Sequence, residues 1–259
     1  MRKSRNIKNS LHPIWGLILF LALWELGVAL YGIPPWLLPA PSQVLATMLD
    51  VREMLGYHSI STLVEAIYGF GLSISLALIM GLVLDSSSWL KKAIYPILVI
   101  SQTIPLIVLA ALLPLWFGWG LLPKILIVTL VCFFPITINL LQGLTSIDEE
   151  QLKLFKSMGA SPWQTFRMVK FPAALPGFFA GLKISATYSI MAAVISEWVG
   201  AQRGLGFFMT IQQKSFAIDK VLAAVLIICI LSLLLVKLVE LIEYLLIPWN
   251  RSSLEETQH

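Results

Sequence analysis

Few side chains in this 259-residue chain have the types and spacing for chemistry, and those that do suit binding and movement better than bond-making. The three histidines, His12, His58 and His259, stand apart, and no His-Glu-x-x-His helix is present to hold a hydrolytic zinc. No glycine is followed by lysine, so the loop that cradles nucleotide phosphates cannot form and the chain cannot hydrolyse ATP alone. Serines and aspartates lack an adjacent base. Catalytic residues and metal ligands are therefore both expected to be none. Cys132 and Cys229 each sit in an apolar run and read as buried small hydrophobes. What remains is a set of ionisable groups within or beside apolar runs: Glu25, Glu65, Lys183, Glu197, Lys237, Glu240 and Glu243. A charge at mid-bilayer costs roughly 2.5–3.5 kcal/mol, so each needs water, a partner or a route to the interface. Lys183, Lys237, Glu240 and Glu243 are expected to snorkel. Ser101-Gln102-Thr103 place three hydrogen-bonding side chains beside Pro105, where they either glue helices together or line a pathway.

The longest polar interruption is 146–176, SIDEEQLKLFKSMGASPWQTFRMVKFPAALP. Leu152, Phe155 and Met158, then Trp163, Phe166 and Met168/Val169, keep helical spacing on both sides of Gly159-Ala160-Ser161-Pro162. The pattern predicts two short amphipathic helices. Gly159 would end the first in the left-handed region, Ser161 would cap the second, and Pro162 would take its first turn, where a missing N–H costs nothing. Two such helices on the face of a membrane protein make a docking surface.

The elements that must position these groups are transmembrane. The chain is 58% hydrophobic and 12% charged, against about 25% charged in soluble domains. Six runs, 14–31, 63–84, 93–117, 123–144, 173–199 and 221–247, are long enough to cross a hydrocarbon layer about 30 Å thick. The first is read as a retained span, with no small-x-small cleavage site after it. The third carries Pro96, Pro105 and Pro114, and is either a kinked span or a re-entrant hairpin. Gly177-x-x-x-Gly181 and Gly69-x-Gly71 read as close-packing positions. With the N-terminus inside, one face holds Arg2, Lys3, Arg5, Lys8, Lys91, Lys92, Lys153, Lys156, Arg167, Lys170 and Arg251, and the other only Arg52, Lys124, Arg203, Lys214 and Lys220. The positive-inside rule then places both termini and the 146–172 loop in the cytoplasm of a multi-pass plasma-membrane protein. The basic balance marks topology and the lipid bilayer, with no nucleic-acid partner.

At Gly159-Ala160-Ser161-Pro162 and Phe171-Pro172-Ala173-Ala174-Leu175-Pro176-Gly177 the chain resembles the permease subunits of binding-protein-dependent ATP-binding-cassette importers, whose cytoplasmic loop runs Glu-Ala-Ala, a short gap, Gly, and later a Leu-Pro. The Glu-Ala-Ala positions fall here on Lys153, Leu154 and Phe155, so the acidic contact does not carry over. The resemblance implies an all-α, six-helix type I permease fold and an ATPase-coupling loop containing Lys153, Leu154, Phe155, Gly159, Ala160, Ser161, Phe166, Pro172 and Pro176. It implies two copies of an ATPase subunit, with ATP and Mg held there and no cofactor on this chain, an extracytoplasmic substrate-binding protein and a permease homodimer. Residues 1–58 would hold the N-terminus, first span and outer linker, 59–247 the transmembrane domain, and 248–259 a cytoplasmic tail. Glu197-Trp198-Val199-Gly200-Ala201-Gln202-Arg203-Gly204-Leu205-Gly206 resembles the family's acidic-Trp segment, leaving Glu197 either a gate on the translocation path or a marker of the water interface. Leu38-Pro39-Ala40-Pro41-Ser42-Gln43-Val44 resembles the nitrate, sulfonate, taurine and thiamine-precursor branch, and Ile247-Pro248-Trp249 leans toward the last. A free-standing secondary transporter is the alternative, but the docking loop would then have no purpose.

Overall fold

The computed structural model describes residues 12–250, and every regular element among them is helical. In hydrocarbon the backbone must satisfy its own hydrogen bonds, and a helix does so within one segment. In order they are α1 (His12–Tyr31), α2 (Pro41–Asp50), α3 (Arg52–Ser86), α4 (Ser88–Ser101), α5 (Leu106–Phe117), α6 (Leu121–Thr145), α7 (Glu149–Ser157), α8 (Pro162–Thr165), a π turn (Phe166–Lys170), α9 (Phe171–Glu197), α10 (Leu205–Lys214), α11 (Ile218–Leu246) and a 3-10 turn (Pro248–Asn250). The N-terminal cations, Arg251, His259 and most of the expected tail lie outside the described residues.

Four stretches are long and apolar enough to cross a membrane: α3, α6, Pro162–Glu197 and α11. The α1 helix adds a shorter apolar segment, Trp15–Tyr31. The third expected run is not one kinked helix. α4 and α5 meet at 100°. Of its three prolines only Pro105 makes the break, standing in extended conformation before α5, while Pro96 and Pro114 lie inside helices. A proline disfavours helical geometry in the residue before it, so α4 ends at Ser101 and the chain passes through a turn at 102–104 before α5.

The centre of the bundle is α9 against α6, with α3 packed against both. Glycines set how close these helices come. A Cβ on Gly177 would lie 2.7 Å from the Asn139 carbonyl oxygen, one on Gly181 2.9 Å from Ile136 Cα, and one on Gly69 2.5 Å from Val128 Cβ. Gly71, expected to pack likewise, faces open space. Gly177→Val should therefore abolish a monodisperse peak on size-exclusion chromatography, whereas Gly71→Ala should elute as the parent does. A normal profile for Gly177→Val would show that the α6–α9 seam is loose.

Between the seams lie Ala66, Ala77, Ile127, Cys132, Ile136, Ala186, Ile190 and Ala193, all fully buried. Cys229, by contrast, is exposed on α11 and is not the buried hydrophobe expected. Two of the groups expected to snorkel do something else. Lys183 on α9 pairs with Glu243 on α11 at 3.0 Å, and the Glu243 side chain is only 4% exposed. Lys237 and Glu240 form an exposed pair on α11.

Candidate functional site

The loop after α6 is built by local backbone chemistry. Asp148 caps α7, its carboxylate accepting the Glu150 N–H at 3.0 Å. At the other end Gly159 takes φ +79°, its N–H donates to the Lys156 carbonyl at 3.1 Å, and the Ala160 N–H reaches back to Phe155 at 3.1 Å. That paired closure needs a left-handed residue, which glycine adopts without side-chain strain. Ser161 then caps α8 by accepting from Gln164 N–H, while the Gln164 side chain accepts from Ser161 N–H at 2.7 Å. Gly159, Ser161 and Pro162 stand as the spacing predicted, and the Ser-x-x-Gln spacing is also the signal for the reciprocal role of Gln164.

The second loop helix is not separate. After one turn of α8 the chain widens into the π turn, where Phe171 N–H donates to Phe166, and runs directly into α9. Pro172 has no N–H for the Met168 carbonyl and its ring would crowd it, so a wide turn is a low-strain solution there. Pro176 lies further along α9. Phe166 stacks on Trp163 with centroids 5.7 Å apart and packs beside Leu140, Leu144 and Ala174. Lys170 clamps Asp85 at the end of α3 at 2.9 Å. Leu152 and Phe155 are half-buried, while Lys153 and Leu154 turn outward. Leu154, Met158, Trp163 and Met168 are exposed, 59–75%. They form an apolar face on an otherwise polar loop.

Ser101 and Thr103 donate to the carbonyls of Ile97 and Ile100, both at 2.7 Å, which relieves the α4 end at its break. Ser101 and Gln102 also line a cavity of about 260 Å³ with Tyr188 and Met191 from α9. Thr103 does not line it.

At the end of α3 remote from Asp85 the structure gathers groups that sequence spacing did not bring together. His58, Thr62 and Glu65 recur along one buried face of α3. Glu197, 1% exposed, accepts the Thr62 hydroxyl at 2.7 Å and the Gly206 N–H at 2.6 Å. Thr62 in turn accepts the Leu205 N–H at 2.9 Å, and His58 Nδ1 accepts the Gly204 N–H at 3.1 Å. Glu197 is thus a latch that ties the 198–206 loop to α3. Gly204, at φ +115°, and Gly200, at φ +68°, are required because a Cβ would fall on the Glu197 carboxylate in one case and the Trp119 ring in the other. Only the His58-x-x-x-Thr62-x-x-Glu65 helical spacing, in a predominantly apolar run, could have signalled this cluster. Thr62→Val keeps the shape but leaves two polar partners unmet, at about 1–3 kcal/mol each. Tryptic cleavage after Arg203 should rise several-fold in that variant; unchanged cleavage would show that the latch does not hold the loop.

Glu65 pairs with Lys124 on α6 at 2.6 Å, and this pair lines a cavity of about 570 Å³ with Tyr57, Ser61, Trp119, Gln202 and Arg203. Among the described residues no cluster of His, Cys, Asp and Glu could hold a metal ion.

Residues 73–252 match the family described as binding-protein-dependent transport system inner membrane component. The chain is 35% identical over 246 residues to the formylaminopyrimidine transport permease protein of Halalkalibacterium halodurans, covering 95% of this chain and 98% of that one. It is 36% identical over 238 residues to the riboflavin transport system permease protein of Chloroflexus aurantiacus, covering 91% and 89%. To the taurine transport system permease protein of Escherichia coli it is 28% identical over 241 residues, covering 90% and 88%. Among solved structures, a chain of the MetNI methionine ABC transporter in an inward-facing form superposes with a TM-score of 0.66 at 21% identity, covering 75% of this chain and 97% of that one.

Proposed function

Because the chain belongs to the family of binding-protein-dependent transport system inner membrane components, we propose that it forms the translocation pathway of an ATP-driven importer and is coupled to a separate ATPase through its 146–172 loop. Its fold is that of type I importer permeases. One observation carries the coupling. The exposed apolar face of Leu154, Met158, Trp163 and Met168 sits on a loop held by caps, continuous with α9 and clamped to α3 through Lys170–Asp85. A push on that face moves two spans together, which is what alternating access requires. The ATPase, in two copies, supplies ATP and Mg; a homodimer of this chain and an outer binding protein complete the assembly.

In this reading the α7–α8 face is cytoplasmic and the Trp119 end is outside. Ser101 and Gln102 line the pathway. Thr103 and Glu197, which do not line the cavity beside Ser101 and Gln102, hold the walls of the pathway. The solute is a substituted aminopyrimidine of the thiamine-precursor class, favoured because the relative named for formylaminopyrimidine is 35% identical and aligns over 95% of this chain and 98% of its own; the riboflavin permease, 36% identical over 91% and 89%, makes a flavin the next candidate, ahead of taurine at 28%. Sulfonate and nitrate rank behind it. Proteoliposomes holding this chain, its ATPase and its binding protein should accumulate labelled formylaminopyrimidine only with ATP, and the chain alone should accumulate none. Uptake by the chain alone, driven by an ion gradient, would overturn the reading in favour of a secondary transporter.

A further inference from the structure

Two buried carboxyl groups meet where α3, α6 and the 198–206 loop converge. Glu65 and Glu197 are each 1% exposed, and the Glu197 carboxyl and the Ser61 hydroxyl both lie within hydrogen-bonding reach of the Glu65 carboxyl. A carboxylate only accepts, so two in contact repel unless one of them carries a proton and donates it. The neighbouring donors do not meet that need. Lys124 Nζ donates to Glu65 Oε1 at 2.6 Å, while the Thr62 hydroxyl and the Gly206 N–H donate to the two oxygens of Glu197 at 2.7 and 2.6 Å. Glu65 Oε2 is sealed from solvent and left without a partner among the described residues.

The charges facing the pair give the same answer. From α6 comes Lys124, 13% exposed. From α3 comes His58, which is neutral because its Nδ1 accepts the Gly204 N–H, and from α10 comes the uncharged Gly206 amide. Arg203 of the loop is exposed, and with Tyr57 it lines the adjoining cavity. One buried ammonium against two buried carboxylates leaves one net negative charge, which in a low-dielectric interior is removed by taking up a proton. We propose that the Glu65 and Glu197 carboxyls share one proton, and that this proton locks the 198–206 loop onto α3. Carried on Glu65 Oε2 and donated to Glu197, it gives the sealed oxygen a partner while Lys124, Thr62 and Gly206 keep theirs. Because the two groups are in contact, the proton belongs to the pair.

Opening the loop takes Glu197 off α3 and admits water to both carboxyls, which then ionise. The closed form holds one more proton than the open form, so rising pH favours opening, by up to about tenfold per pH unit. The device depends on neither the solute nor the coupling assigned above.

The test uses the full-length chain in nanodiscs and reads tryptic cleavage after Arg203, each rate divided by that of a free peptide of residues 198–208 at the same pH. Protonation of His58 would cost the Gly204 contact, so the series runs upward from about pH 7 to about pH 9, short of the usual lysine range. Cleavage of the parent should rise about tenfold or more across it. Glu65→Gln replaces the protonated acid by an amide of the same shape, whose N–H₂ donates to Glu197 at every pH and whose oxygen still accepts from Lys124. Its cleavage should stay low and flat. Infrared difference spectra at neutral pH, parent minus variant, should show the C=O stretch of a protonated carboxyl that both Glu65→Gln and Glu197→Gln remove, since either change leaves one carboxylate to balance Lys124. The parent's pH profile needs no variant to be read. A flat parent profile, a Glu65→Gln profile that rises as the parent's does, or no protonated-carboxyl band would each overturn the proposal.

Discussion

Gly159→Val is expected to cut ATP-driven uptake by about fivefold to thirtyfold while membrane insertion and detergent stability stay close to the parent. The glycine stands at φ +79°, and its N–H and that of Ala160 close the end of α7. A left-handed conformation costs an L-residue about 1–2 kcal/mol, and a β-branched side chain is poorly suited to it. An added Cβ would meet nothing within 4 Å in this chain, so the penalty falls on the backbone conformation and not on packing. That penalty shifts the loop population by about fivefold to thirtyfold, and it misplaces Leu154 and Met158 relative to Trp163 and Met168. The spans satisfy their own backbones and are unaffected. Uptake and co-purification of the ATPase are the measurements. Full uptake by Gly159→Val would show that the loop does not transmit motion. Gly69→Ala, on a span, is no mild control, since its Cβ would strike Val128; Gly71→Ala is the better one.

Lys183→Met should be strongly destabilising although it changes no helix seam. It strips the partner from Glu243, which lies 4% exposed between α9 and α11. Removing one member of a buried pair costs about 3–5 kcal/mol, because the remaining charge loses its compensation. Thermal unfolding in detergent should fall by roughly 10 °C, taking about 2–4 °C per kcal/mol for a chain of this size. The double variant Lys183→Met with Glu243→Leu should recover most of that loss, since an apolar pair of similar volume is often as stable as the ion pair it replaces. Lys237→Met, which breaks the exposed pair with Glu240, should change the midpoint little, at about 0–1 kcal/mol. Equal midpoints for the single and double variants would show that Glu243 reaches water and needs no partner.

The local features were legible in the sequence because short-range rules decide them. Helical character followed from apolar length. The left-handed Gly159, the Ser161 cap and Pro162 in the first turn followed from residues within a few positions of one another. The close approach at Gly177 and Gly181 followed from their spacing on one helix face. Three-dimensional packing settled the rest. Whether a proline kinks a helix or ends it depends on what its neighbours satisfy, and so Pro105 broke the third run while Pro96 and Pro114 did not. Whether a charge snorkels or pairs depends on which helix lies opposite; Lys183 and Glu243 are 60 residues apart in sequence and 3.0 Å apart in space. The Glu197 latch needs Thr62, 135 positions away, and the Glu65 ion pair exists only because α6 brings Lys124 beside α3. Composition and near neighbours determine where helices form and how they end; the partner that each buried polar group finds is a property of the assembled bundle.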